Sequence, residues 1–74
     1  MYEVDTKALR MSMVENGYNS ITDLSAASGV SRNTIMKVLS GKGFPSSSVM
    51  LSLADALHLD GAEAGRIFFT QKLA

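Results

Sequence analysis

Arg32, Asn33, Met36 and Lys37 carry the most distinctive chemistry in the chain. They lie within Ser31-Arg-Asn-Thr-Ile-Met-Lys-Val-Leu-Ser40, where Ile35, Val38 and Leu39 recur at the i, i+3, i+4 spacing of a buried helical stripe. A helix over residues 32–40 that buries those three side chains turns the other four outward. Arginine and lysine donate to the acceptor edge of guanine, asparagine pairs bidentately with adenine, and an apolar side chain can meet the thymine methyl. This is the chemistry of reading base edges in a groove.

A helix that enters a groove needs a second helix to brace it across the backbone. Residues 20–29 supply one. Ser20-Ile-Thr-Asp23 fits a capping box in its Ser-x-x-acid form. Leu24 and Ala27 are expected to point inward, with Ala26 and Ser28 keeping the helix slim. Ser25 and Ala26 are small where two helices must approach closely. Gly29 tolerates the left-handed backbone that a turn of about three residues requires. Leu24, Val30, Ile35 and Val38 can anchor both helices to a core.

The remaining chain supplies the scaffold. Asp5 or Thr6 can cap a first helix over residues 6–16, with Ala8, Leu9, Met11, Met13 and Val14 as its apolar positions and Gly17 as its stop. Serines 46–48 offer caps for a fourth helix in which Val49, Met50, Leu53, Ala54 and Leu57 recur at helical spacing. His58-Leu-Asp60-Gly61 breaks it. Asp60 then caps a last helix, expected over residues 61–72, with Ala64, Ile67, Phe68 and Leu73 inward. No strand-like alternation is legible. The fold class expected is all-α, a bundle of five short helices in a single domain over residues 1–74, with the two-helix unit at 20–40.

Composition bounds what such a domain can do. Seventy-four residues bury only about 60–65% of the unfolded surface, so the core must be efficient. The 46% hydrophobic content argues against disorder. With no cysteine and one histidine, no metal site is expected and disulfides are excluded. No apolar run approaches the roughly 18 residues of a membrane span. No leader is read at the N-terminus, and a cytoplasmic protein is the expectation. Seven basic and seven acidic residues give no net charge, but Arg32, Lys37 and Lys42 fall in a segment, 32–42, that holds no acid. A local basic patch serves a polyanionic partner even when the whole chain is neutral.

The pattern Leu24-Ser-Ala-Ala-Ser-Gly29-Val-Ser-Arg-Asn-Thr-Ile35 closely resembles the Leu-Ala-x-x-x-Gly-Val-Ser-x-x-Thr-Ile of the phage-repressor-type helix-turn-helix family, the lambda repressor and Cro (XRE-like) group. Ser40-Gly-Lys-Gly-Phe-Pro45 resembles that family's turn after the recognition helix, and Ser48-Val-Met-Leu-Ser-Leu-Ala-Asp-Ala-Leu57 its fourth helix. The resemblance covers about half the chain. It implies a lambda-repressor-like fold, a double-stranded DNA operator as partner, base contacts from Arg32, Asn33, Met36 and Lys37, and phosphate contacts from Ser31, Thr34, Ser40 and Lys42.

Each of these residues has a plainer reading. Arg32 and Lys37 suit a solvated helix face. Asn33 sits in the first turn and can satisfy its own helix start. Met36 can fill the edge of the core, and Lys42 can complement a helix C-terminus. His58 reads as a partly buried or capping histidine. Serines 20, 31 and 46–48 read as caps, no Gly-x-Ser-x-Gly elbow is present, and Gly41-Lys-Gly43 is too short for a phosphate loop. No catalytic residues, cofactor or small-molecule ligand are expected.

Adjacent Ile67, Phe68 and Phe69 cannot all enter one narrow stripe, because neighbours on a helix point about 100° apart. Either the small domain buries them all, or one ring, Phe69, is exposed and joins Leu73, so that Ile67, Phe68, Phe69 and Leu73 mark the expected association surface, for a homodimer or for a partner repressor. The function expected is a small phage-switch regulator. The alternative is a protein-interaction module on the same fold, an antirepressor or modulator of a repressor, favoured by the neutral charge, by Ile21 at the start of the second helix and by the apolar last helix.

Overall fold

Side-chain caps mark where the helices begin. In the computed structural model, which describes residues 1–72, Asp5 accepts from the Ala8 amide at 3.0 Å and starts α1 (Thr6–Glu15). Ser20 accepts from the Asp23 amide at 3.1 Å and starts α2 (Ile21–Ser28). Ser31 does the same for α3 (Arg32–Leu39), Ser46 for α4 (Ser47–Ala56) and Asp60 for α5 (Gly61–Phe68). Each bond satisfies one of the amides that a helix N-terminus leaves without an intrahelical partner. The box at Asp60 is reciprocal, with Glu63 Oε1 accepting from the Asp60 amide at 3.1 Å. The box expected at Ser20 closes one residue upstream, because Asp23 Oδ2 accepts from the Asn19 amide at 3.1 Å.

The helix ends follow equally local chemistry. Gly17 and Gly41 adopt φ of 79° and 73° just past α1 and α3. The amides that follow fold back onto the last carbonyls: Tyr18 onto Met13 at 2.9 Å, and Lys42 onto Lys37 at 3.2 Å. α4 ends in the same way, with Leu59 donating to Ala54 at 2.9 Å, but the left-handed residue there is His58 at φ 55°. His58 is exposed, so its place in the fold is a capping one.

Thirteen buried apolar residues form one core that takes side chains from all five helices among the described residues. Leu9 and Met13 come from α1, Leu24 from α2, Ile35, Val38 and Leu39 from α3, Leu53 and Ala56 from α4, and Ile67 and Phe68 from α5. Full burial of one such large side chain is worth about 1.5–3 kcal/mol. One expectation fails here. Ala27 is exposed, because the inner face of α2 runs through Ile21, Leu24, Ser25 and Ser28 and Ala27 falls just off it. Met11 and Val14 are exposed as well, because Leu9, Ser12 and Met13 take the buried face of α1.

The last helix is shorter than its apolar pattern suggests. α5 ends at Phe68, and Thr70 Oγ1 donates to the Arg66 carbonyl at 2.6 Å. The chain then extends into β2 (Thr70–Gln71), antiparallel to β1 (Tyr2–Glu3), with Tyr2 opposite Gln71 and Glu3 opposite Thr70. The all-α body thus carries one small sheet made from its two ends. Between the sheet and the helices, the Asp5 amide donates to the Ile67 carbonyl at 2.7 Å. The inward placement expected for Leu73 lies outside the described residues. Among the described residues no helix is long and apolar enough to cross a membrane.

Candidate nucleic-acid interface

The turn between α2 and α3 is fastened by two serines. Gly29 takes φ 77°, and its amide donates to the Ser25 carbonyl at 2.9 Å. Ser25 Oγ donates to the Val30 carbonyl at 2.6 Å. Ser28 Oγ donates to the Leu24 carbonyl at 2.7 Å and accepts from the Val30 amide at 3.1 Å. Val30 is thereby held at both its N–H and its C=O, and its side chain is buried. The angle at which α3 leaves the turn is set by these bonds as well as by packing. The far end of α3 is held by α1: Arg10 Nη2 donates to the Leu39 carbonyl at 3.2 Å.

With both ends fixed and Ile35, Val38 and Leu39 buried, α3 presents Arg32, Asn33, Met36 and Lys37 to solvent. Met36 is 53% exposed, which removes the core-edge reading. Ser31 caps the helix, so Asn33 is not needed for its start. Asn33, Met36, Lys37, Ser40 and Lys42 line one shallow depression, while Arg32 stands outside it, one turn back on the same helix. Three of the four residues expected at base edges are thus brought together with two of those expected at phosphates. Residues 24–54 contain no aspartate or glutamate, so no acid from this stretch opposes Arg32, Lys37 and Lys42.

The hydroxyls are differently disposed from what their positions suggest. Ser31 Oγ accepts from the Thr34 amide at 3.2 Å and donates to Thr34 Oγ1 at 2.8 Å. Ser40 Oγ donates to the Lys37 carbonyl at 2.9 Å. A hydroxyl has one proton to give, and in Ser31 and Ser40 it is directed at the protein. Thr34, half-buried, accepts from Ser31. Lys42 uses its amide to close the end of α3, and its side chain is exposed.

A family model described as a helix-turn-helix domain matches residues 8–67. The chain belongs to the helix-turn-helix family. Comparison with curated proteins and with solved structures gave no match. The helix-turn-helix unit is α2, the Gly29-Val30-Ser31 turn and α3, in the arrangement by which such domains lay their second helix in the major groove of DNA.

The expected association surface is only partly available. Ile67 and Phe68 are 7% and 1% exposed, so both are core residues and not partner contacts. They escape the crowding expected of three neighbouring bulky residues because the helix ends at Phe68 and Phe69 turns away with φ −127°. Phe69 is 47% exposed. Its ring meets Tyr2 edge-on at 5.8 Å and lies 5.6 Å from Phe44, so much of its contact is intramolecular. Leu73 lies outside the described residues.

Several positioning residues carry no signal in the sequence reading. No pattern in the sequence singles out Arg10, and Ser28 reads only as a small spacer. Asn16 Nδ2 donates to the Ser12 and Leu57 carbonyls at 2.8 and 3.1 Å, and Tyr18 Oη donates to the Ala56 carbonyl at 2.8 Å. These two tie the end of α1 to the end of α4. The Leu57 and Ala56 carbonyls lie about 40 residues from their donors, which no local pattern reveals. Among the described residues no three His, Cys, Asp or Glu side chains gather where a metal ion could be held.

Proposed function

We propose that residues 1–74 form a single helix-turn-helix domain that acts as a sequence-specific DNA-binding transcriptional regulator of the small phage-switch type. In this reading α3 enters the major groove. Arg32, Asn33, Met36 and Lys37 meet base edges, Thr34 and Lys42 meet the flanking phosphates, and Ser31 and Ser40 join them by turning their hydroxyls from the internal bonds to the phosphates. One observation carries the reading: α3 buries Ile35, Val38 and Leu39 and leaves Arg32, Asn33, Met36 and Lys37 exposed to solvent. Two copies on a two-fold operator would double these contacts. The role is regulatory rather than catalytic.

Selection of bound duplexes from a random DNA library tests the proposal. A recovered consensus, weakened by Arg32→Ala and by Lys37→Ala, is the expected result. The absence of any selected sequence at low salt defeats it, because phosphate attraction is greatest there.

A second reading rests on the engaged hydroxyls of Ser31 and Ser40 and on half-buried, apolar Ile21 at the start of α2. Both thin the set of phosphate donors, as expected if the same face binds another repressor protein instead of DNA. Titration with operator DNA and with a partner repressor separates the two. Tight binding of DNA by the isolated chain removes the motive for the second reading.

A further inference from the structure

The charges at the two ends of α1 oppose its own dipole. Lys7 stands in the first turn, where unpaired amides favour an acid, and Glu15 is the last residue, where unpaired carbonyls favour a base. Neither residue gains stability from its place in the helix. Met11 lies four residues from each, so Lys7, Met11 and Glu15 form one i, i+4, i+8 ridge. Met11 is 57% exposed and Val14 beside it 71% exposed. Lys7, Arg10, Met11, Val14 and Glu15 line a single shallow groove on this face. The guanidinium of Arg10 is turned toward α3, leaving Lys7 as the cation of the ridge.

We propose that this ridge is a self-association surface whose occupant is the same ridge of a second copy of the chain. An antiparallel two-fold pairing centred on Met11 places Lys7 of each copy against Glu15 of the other and brings the two Met11 side chains together, with Val14 alongside. A parallel pairing would set lysine on lysine and glutamate on glutamate. The charge pattern therefore selects the antiparallel two-fold, and it accounts for two charges that the helix alone disfavours. A ten-residue helix is about 15 Å long. A contact confined to one face of so short a helix is small beside the ~1,000 Å² of a stable interface. Association is accordingly weak in solution and is strengthened where both copies are held on one site.

The inference gives the two-fold arrangement of the proposed function a surface, and its test uses no DNA. Sedimentation equilibrium is run on the whole chain, on Lys7→Glu, on Glu15→Lys, and on an equal mixture of the two variants. Each variant alone sets like charges together twice, and its dimerisation constant weakens by about tenfold or more. The mixture restores association to near the wild-type level, because one copy is then acidic at both positions and the other basic. Both reversals agree with the helix dipole, so α1 stays folded, as circular dichroism verifies. A wild type that stays monomeric to about 1 mM, or a mixture no tighter than its components, overturns the proposal. A chain that dimerises without binding DNA leaves this inference standing and removes the proposed function. A DNA-binding monomer does the reverse.

Discussion

Arg10 on α1 donates from Nη2 to the carbonyl oxygen of Leu39, the last residue of α3, at 3.2 Å. The bond reaches a carbonyl that α3 cannot satisfy internally, and it brings a positive charge to the negative end of that helix. The scaffold helix thus holds the reading helix at the end opposite the turn, which the serines of α2 hold. Arg10→Met, which keeps the apolar stem, is expected to lower stability by about 1 kcal/mol. That corresponds to a fall in Tm of about 4–8 °C for a domain of this size. Arg10→Lys should recover part of it, and thermal unfolding followed by circular dichroism reads all three chains.

The face of α3 divides its work in a way that binding can resolve. Arg32→Ala and Lys37→Ala should each cost about 1–3 kcal/mol on the preferred sequence and relax the preference at one position. Lys42→Ala should weaken binding to all sequences alike and reduce the salt slope by about 1. With Lys42 the one cation of this face placed at a phosphate, the slope of log K against log salt is expected near about −1 per copy. A fluorescence titration across salt concentrations measures both quantities.

Gly29 and His58 make opposite predictions from the same backbone region. Gly29 has φ 77° and open space where a Cβ would stand, so Gly29→Ala meets strain in the backbone alone. A loss of about 1 kcal/mol is expected. His58 holds φ 55° with a full side chain at the end of α4. His58→Gly should therefore raise stability by up to about 1 kcal/mol, less what glycine adds to the entropy of the unfolded chain. Urea denaturation of the two variants gives both signs.

Ser28→Ala removes a donor to Leu24 and the only side-chain acceptor found for the Val30 amide among the described residues. A loss of about 1–2 kcal/mol is expected, because a part-buried amide is left without a partner. Amide exchange at Val30 should rise by more than the global change in stability predicts. An exchange rate that follows global stability alone would show that the serine does not fasten the turn.

Ser20, Ser31 and Asp60 were legible as helix starts, and Asp5 and Ser46 as candidates beside their neighbours, because capping is decided within about four residues of sequence. The burial of Ile35, Val38 and Leu39, and with it the exposure of Arg32, Asn33, Met36 and Lys37, followed from periodicity for the same local reason. The end of α5 was not legible. Arg66 to Gln71 reads as helix until Tyr2 and Glu3 offer strand partners from the other end of the chain. Ala27 was misplaced because alanine fits either face, and only the neighbours of α2 decide. The hydroxyls of Ser31 and Ser40 could be placed near the reading face but not oriented, since a rotor's choice of acceptor depends on a single favourable angle.

The pairing of Tyr2 with Gln71 closes a long loop that holds all five helices. Two residues a side are too few to hold a ladder by themselves, and closing a loop this long carries an entropy that only a formed helical body can offset. The seam is therefore the last part to assemble and the first to open. Phe69, wedged between Tyr2 and Phe44, extends that seam to the loop just beyond Lys42. Opening of the seam would reach the loop that follows α3 before it disturbed the core.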